Sequence, residues 1–170
     1  DAIGEKLELN VDTTFPTPTR EVVLYAPYWL VNRLRVPLMF QNGSMASSKL
    51  AAGSEGAARP ADPRTPFMCS LDKLQIKTAD ATKWSKPFGI EAVGTSGVAE
   101  FSNSAGTIHY GVKVSCHLGE GKFNRTKVVT FAPHHVLVNK MSGDIQISLR
   151  QVGSEAVHAL FPGEQKPWHW

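Results

Sequence analysis

Glu21-Val22-Val23-Leu24-Tyr25-Ala26-Pro27-Tyr28-Trp29-Leu30-Val31-Asn32-Arg33 is echoed downstream by Lys127-Val128-Val129-Thr130-Phe131-Ala132-Pro133-His134-His135-Val136-Leu137-Val138-Asn139-Lys140. Each copy is a short apolar run, an Ala-Pro, an aromatic or His pair, then Leu-Val-Asn and a cation. The copies align with one extra residue after the second Pro, and their asparagines stand 107 positions apart. An apolar run this short, bounded by Pro and Asn, reads as a buried strand rather than a helix. A repeat of about 100 residues suits one β-sandwich per unit, not a short solenoid repeat. The expectation is an all-β chain of mostly antiparallel β-sandwich modules. Residues 1–125 form a first module, and residues 126–170 supply the opening strands of a second.

The rest of the sequence agrees with that reading. Leu7, Leu9 and Val11 alternate with Glu8, Asn10 and Asp12. Leu74 and Ile76 alternate with Lys73, Gln75 and Lys77; Ile108, Tyr110, Val112, Val114 and Cys116 share one parity; Ile145, Ile147 and Leu149 share another. Period two is the mark of a half-buried strand, because successive side chains point to opposite faces. Pro37–Phe40 is a further short apolar run. No capped stretch carries a helical apolar face. Between Asn42 and Pro66 the chain is mostly Ala, Gly, Ser and Pro with scattered charge. Such a composition buries too little to offset its ordering entropy and reads as a mobile insertion.

Composition narrows the function. In 170 residues, 42% are hydrophobic and 19% charged, the balance of a folded chain rather than a disordered one. At this size about 70% of the unfolded surface is buried on folding, so neither disulfide nor metal is needed as a staple. The net charge is +3 without a basic cluster, which argues against nucleic acid as a partner. No apolar run approaches the ~18 residues of a membrane span. Asp1–Lys6 lacks the features of a secretory signal. The chain begins without Met and reads as a piece of a longer protein. Two cysteines, Cys69 and Cys116, make no disulfide framework and suit a reducing compartment as small buried hydrophobes.

Catalytic and metal motifs fail on inspection. In Gly94-Thr95-Ser96-Gly97-Val98 the second Gly comes one residue too early for a nucleophile elbow. Gly119-Glu120-Gly121-Lys122-Phe123 lacks the first Gly and the Ser/Thr of a phosphate loop. Both read as hairpin turns. Cys116-His117 and His134-His135 are adjacent pairs; within a strand they point to opposite faces and do not chelate one ion. No catalytic residue, metal or cofactor is expected. The aromatic residues Tyr28, Trp29, Trp84, Trp168 and Trp170 read as interior packing rather than a stacking platform. That leaves Asn32 and Asn139. A strand-end Asn either bonds its own turn backbone or fixes a loop that shapes a binding edge.

The residues resemble the adaptor-binding region, also called the SHR-binding region, of the vacuolar protein sorting-associated protein 13 family. The likeness rests on Tyr25-Ala26-Pro27-Tyr28-Trp29-Leu30-Val31-Asn32 with Pro37-Leu38, on Trp84-Ser85-Lys86-Pro87-Phe88, on Gly121–Val129 with Val136–Lys140, and on the closing Phe161–Trp170. Arg33-Leu34-Arg35 stands where the family often has a Lys-Thr-Gly turn, and His134-His135 replaces a basic-aromatic pair. The resemblance implies repeated β-sandwich modules, each with a characteristic Asn, here Asn32 and Asn139. It implies a non-enzymatic fragment of a bridge-like lipid-transfer protein, cytoplasmic and peripheral to organelle membranes and membrane contact sites. The partners implied are organelle adaptor proteins bearing Pro-x-Pro motifs, taken up by strand addition, with membranes reached only indirectly. The alternative is a structural spacer without a ligand of its own.

Overall fold

The computed structural model describes residues 10–14, 21–43, 47–50, 67–68, 73–90, 92–150 and 157–168. Fourteen strands follow in chain order: β1 Asn10–Thr14, β2 Glu21–Tyr25, β3 Tyr28–Asn32, β4 Leu38–Asn42, β5 Ser48–Leu50, β6 Phe67–Met68, β7 Leu74–Thr78, β8 Ser96–Ser102, β9 His109–Leu118, β10 Lys127–Pro133, β11 His135–Val138, β12 Ile147–Arg150, β13 Val157–Leu160 and β14 Gln165–Trp168. A 3-10 turn at Gly121–Phe123 is the one helical element among the described residues. The chain is all-β, as the period-two pattern requires.

Two sheets form a sandwich. One has the order β6-β3-β10-β9-β8, the other β5-β4-β7. Their inner faces share one core: Leu30, Val129 and Phe131 meet Leu38, Phe40, Leu50, Leu74 and Ile76, none more than 5% exposed. The alternation read from sequence is what aims these residues inward. In β7, Leu74, Ile76 and Thr78 are buried while Gln75 and Lys77 are half-exposed. Burying one such Leu contributes about 1.5–3 kcal/mol.

β10 runs parallel to β3, with Val128 beside Trp29, Val129 beside Leu30 and Thr130 beside Val31. It pairs antiparallel with β9 on its other side. The remaining strand pairs among the described residues are antiparallel. Position in the middle of the sheet, covered on both faces, explains why β10 is apolar at consecutive positions rather than alternating. The Thr126 hydroxyl donates to Ala26 O at 2.8 Å and the Lys127 amide to Pro27 O at 2.7 Å, fixing where β10 enters.

β10 lies beyond position 125 and pairs with β3 in the five-stranded sheet, where Val129 and Phe131 join the core. Within the 42–66 stretch, Asn42 ends β4 and β5 pairs with it, Leu38 beside Leu50. Leu50 is 1% exposed; it is a large apolar residue in a segment otherwise rich in small ones, and the core draws it in. Positions 44–46 and 51–66 of that stretch, with Cys69 and Trp170, lie outside the described residues.

Beyond Pro133 the chain repeats the start of the sandwich. β11 pairs with β14 as β3 pairs with β6, and β12 pairs with β13 as β4 pairs with β5.

Candidate functional site

Asn32 ends β3 and Asn139 follows β11, and their side chains do the same work. The Asn32 Oδ1 accepts from the Leu34 amide at 2.9 Å, and its Nδ2 donates to Val36 O at 2.9 Å. The Asn139 Oδ1 accepts from the Met141 amide at 3.0 Å. Its Nδ2 donates to Ile145 O and Leu160 O, both at 2.9 Å. An Oδ1 bonded to the amide two residues on is the Asx turn that makes Asn a loop residue. Both side chains are buried, at 5% and 0% exposure, so each amide holds its loop from inside and presents little surface outward. In the departing Arg33-Leu34-Arg35, only Leu34 is buried; the two arginines are exposed.

A surface suited to a ligand lies elsewhere. β8 is the outer strand of the five-stranded sheet, with β9 its one strand neighbour among the described residues. Ala99 and Phe101 point into the core; Val98 and Glu100 point out. Along β8 runs an open groove of about 650 Å³ that reaches Lys86, Pro87 and Phe88 and ends at His134 and His135. A second cavity of about 140 Å³ continues it past Thr95–Ala99 against Gly89 and Ile90. Phe88, Val98 and Ala99 line both. The segment 86–90 therefore forms a wall facing the strand edge. It is anchored by reciprocal backbone hydrogen bonds between Phe88 and Leu74, both 2.9 Å.

Aromatic side chains floor the groove. Phe101 and Tyr110 stack with centroids 5.2 Å apart. The Tyr110 hydroxyl donates to Asp80 Oδ2 at 2.9 Å. Burial, reinforced by the neighbouring Asp80 carboxylate, pushes the Tyr110 hydroxyl up to about 12. The Asp80 carboxyl is held below its usual value, first by the Thr78 hydroxyl and then, against the opposing effect of burial, by Tyr110. Gly111 lies under His134, where a Cβ would come within 3.3 Å of the His134 Cβ. An open strand edge beside a groove of mixed polar and aromatic lining can take an extended peptide as an added strand.

Some sequence-marked residues fall as expected and others do not. His134 and His135 do not point apart: their rings lie edge-on, centroids 4.2 Å apart, and line the same groove. The break between β10 and β11 falls at His134, so strand alternation does not apply across the pair. Trp29 and Trp168 are interior residues, the latter edge-on to His158 at 5.4 Å. Trp84 is half-buried beneath the Lys77 ammonium, 4.9 Å from its ring. Cys116 is a buried free thiol, and burial raises its pKa. The Gly119–Phe123 stretch is the turn between β9 and β10, with Gly121 at φ +56°. Sequence reading missed β8, taking its start for a hairpin turn. The only signal was the faint alternation of Val98, Ala99, Glu100 and Phe101 after two glycines.

An all-β chain built from a repeated strand–Ala-Pro–strand unit, with an open edge beside an aromatic trough, belongs to the class of modular β-sandwich binding domains. Residues 3–170 match the family described as vacuolar-sorting associated protein 13, adaptor binding domain, and the chain belongs to that family. It is 33% identical over 162 residues to the intermembrane lipid transfer protein VPS13 of Chaetomium thermophilum, covering 88% of this chain and 5% of that protein. It is 26% identical over 174 residues to the human intermembrane lipid transfer protein VPS13D, covering 88% of this chain and 4% of that protein. For vps13D of Dictyostelium discoideum the identity is 23% over 236 residues, covering 89% of this chain and 5% of that protein. The chain thus spans about a twentieth of the length of these relatives. No helix among the described residues is long and apolar enough to cross a membrane.

Proposed function

We propose that this chain recruits a bridge-like lipid-transfer protein to organelle membranes and contact sites by capturing Pro-x-Pro segments of adaptor proteins, laid as an added strand along β8. The supporting observation is the coincidence of an open edge strand with a groove walled by residues 86–90. Seven residues of β8, at about 3.4 Å each, give an edge of about 24 Å. Proline cannot donate to the ladder, so its ring is free to fill apolar space, here between Phe88, Phe101 and Tyr110. A Pro-rich segment is already extended and has little entropy left to lose. In this reading Asn32 and Asn139 are loop-fixing residues that set the strands, not ligand contacts. The second copy of the repeat opens at Lys127 with β10, the strand that pairs with β3. Cytoplasmic, peripheral localisation follows from the adaptor route to the membrane.

The test is a titration of the folded chain with a labelled Pro-x-Pro peptide, with a Pro-to-Ala peptide as control. Binding on the order of micromolar, lost with the prolines, is expected. Val98→Arg places a charge at an exposed position of the edge and should weaken binding at least tenfold while leaving the melting temperature unchanged. Wild-type affinity in Val98→Arg would move the site off β8. No binding by a cooperatively folding chain would leave the spacer reading in its place.

A further inference from the structure

The outer face of the small sheet gathers cations that are scattered along the sequence. In β4, Leu38, Phe40 and Asn42 are buried, so Met39 and Gln41 face outward. In β7 the buried Leu74, Ile76 and Thr78 leave Gln75 and Lys77 on that same outer face, and Lys73, one step earlier, shares their parity. Leu50 of β5 is buried, so Lys49 turns outward. Register sets Lys49 and Lys77 on either side of Met39, about 10 Å apart across three strands.

The segment after β7 widens this face. The Ser85 amide donates to Ile76 O at 2.9 Å and the Ile76 amide to Ser85 Oγ at 3.1 Å, which lays residues 84–86 along the side of β7 away from β4. Ser85 is 2% exposed and turned inward; Trp84 and Lys86 on either side of it turn outward, with the Trp84 ring 4.9 Å beneath Lys77 Nζ. Gln41 Nε2 donates to Gln75 Oε1 at 2.7 Å and Gln75 Nε2 to Ser85 O at 2.9 Å, a neutral amide row between the cations. Lys49, Lys73, Lys83 and Lys86 are exposed and Lys77 is half-buried. Among the described residues none of these lysines is ion-paired. The one acid in the described part of this sheet and segment is Asp80, which takes up the Tyr110 hydroxyl. Glu100 belongs to the β8 groove, which Lys86 also reaches.

We propose that this face rests directly on the anionic surface of a lipid bilayer. Lysine stems lie along apolar surface while their ammonium groups reach lipid phosphates and carboxylates, and a half-buried Trp beside Met39 suits the headgroup layer. The charge is spread over three strands and a flanking segment and converges on no single point. A plane of many anionic headgroups matches that spread better than one acidic side chain does. Each lysine near an anionic leaflet is worth about fivefold in binding, so four should favour anionic over neutral vesicles on the order of 500-fold at low salt. The contact is independent of any peptide on β8. It gives the chain a direct hold on the membrane in addition to a route through adaptors.

The test is co-sedimentation of the whole chain with vesicles of phosphatidylcholine alone, or of equal parts phosphatidylcholine and phosphatidylserine. The chain should pellet with the mixed vesicles and not with the neutral ones, and salt near 1 M, where the Debye length is about 3 Å, should release it. Lys73→Gln, Lys77→Gln and Lys86→Gln together should weaken binding about 100-fold. Lys113→Gln, Lys122→Gln and Lys140→Gln remove the same charge from exposed positions elsewhere and should leave it within about threefold of wild type. No binding of wild type to the anionic vesicles overturns the proposal, and so does an equal loss in the two triple variants, which would make net charge rather than this face responsible. Binding to polyglutamate without binding to the vesicles would also overturn it and give the face to an acidic polypeptide. Thermal melts of both variants check that the fold is kept.

Discussion

Replacing Asn139 by Ala removes three hydrogen bonds at a fully buried position: the one accepted from the Met141 amide and the two donated to Ile145 O and Leu160 O. The first two touch partly buried groups, which water reaches once the amide is gone. The bond to Leu160 O is buried, so that carbonyl loses its partner outright. At about 1 kcal/mol for each of the two replaceable bonds and 1–3 for the buried group left unpaired, the cost is about 3–5 kcal/mol. For a domain of this size, at about 2–4 °C per kcal/mol, Tm should fall by about 6–20 °C. Differential scanning calorimetry measures it, and hydrogen exchange at the Met141 amide should accelerate. Asn139→Asp separates the two halves of the role. It keeps the acceptor for Met141 but sets a charged acceptor against two carbonyls, so it should be at least as destabilising as Ala. A Tm within about 1 °C of wild type for Ala, or full stability for Asp, would refute the loop-fixing account, since a cost near 3 kcal/mol moves Tm several degrees.

Gly119→Ala drives a Cβ to 2.5 Å from Phe123 O, so the turn into β10 must shift; a loss of about 1–3 kcal/mol is expected by chemical denaturation. Tyr110 is neutral in the fold up to about 12 against its usual 10, so the stability it contributes is whole below pH 10 and lost as pH rises towards 12. Urea midpoints across that range should decline in wild type and flatten in Tyr110→Phe. The same variant should raise the Asp80 pKa back towards its usual value, read by NMR titration, because one of the bonds holding it down is gone. Cys116 in a Cys69→Ser background should resist a thiol reagent at mildly alkaline pH and react on unfolding; prompt reaction with the native chain would contradict its burial.

Most of the strands were legible in the sequence because their signal is local. Leu74 and Ile76, or Val112, Val114 and Cys116, alternate because one face of each strand meets the core, and alternation survives in the linear order. Asn139 was marked by its position at the end of an apolar run, and its Asx turn reaches only a few residues along the chain. β8 was not legible, since Gly97 and the small residues around it blur the alternation. The His134-His135 pair was misread because the strand break at His134 leaves no mark in composition.

The sequence by itself determined an all-β chain and the repeat, and it marked Asn32 and Asn139, because period, turn chemistry and self-similarity are written in the linear order. Only the tertiary structure decided that β10 crosses back to lie parallel to β3, about 100 residues earlier, as the Thr126 bond to Ala26 records. It also decided that β8 is an edge among the described residues and that residues 86–90 wall a groove beside it. Those outcomes come from which apolar faces bury against one another. That burial is non-directional and sums over the whole core, so no local pattern encodes it.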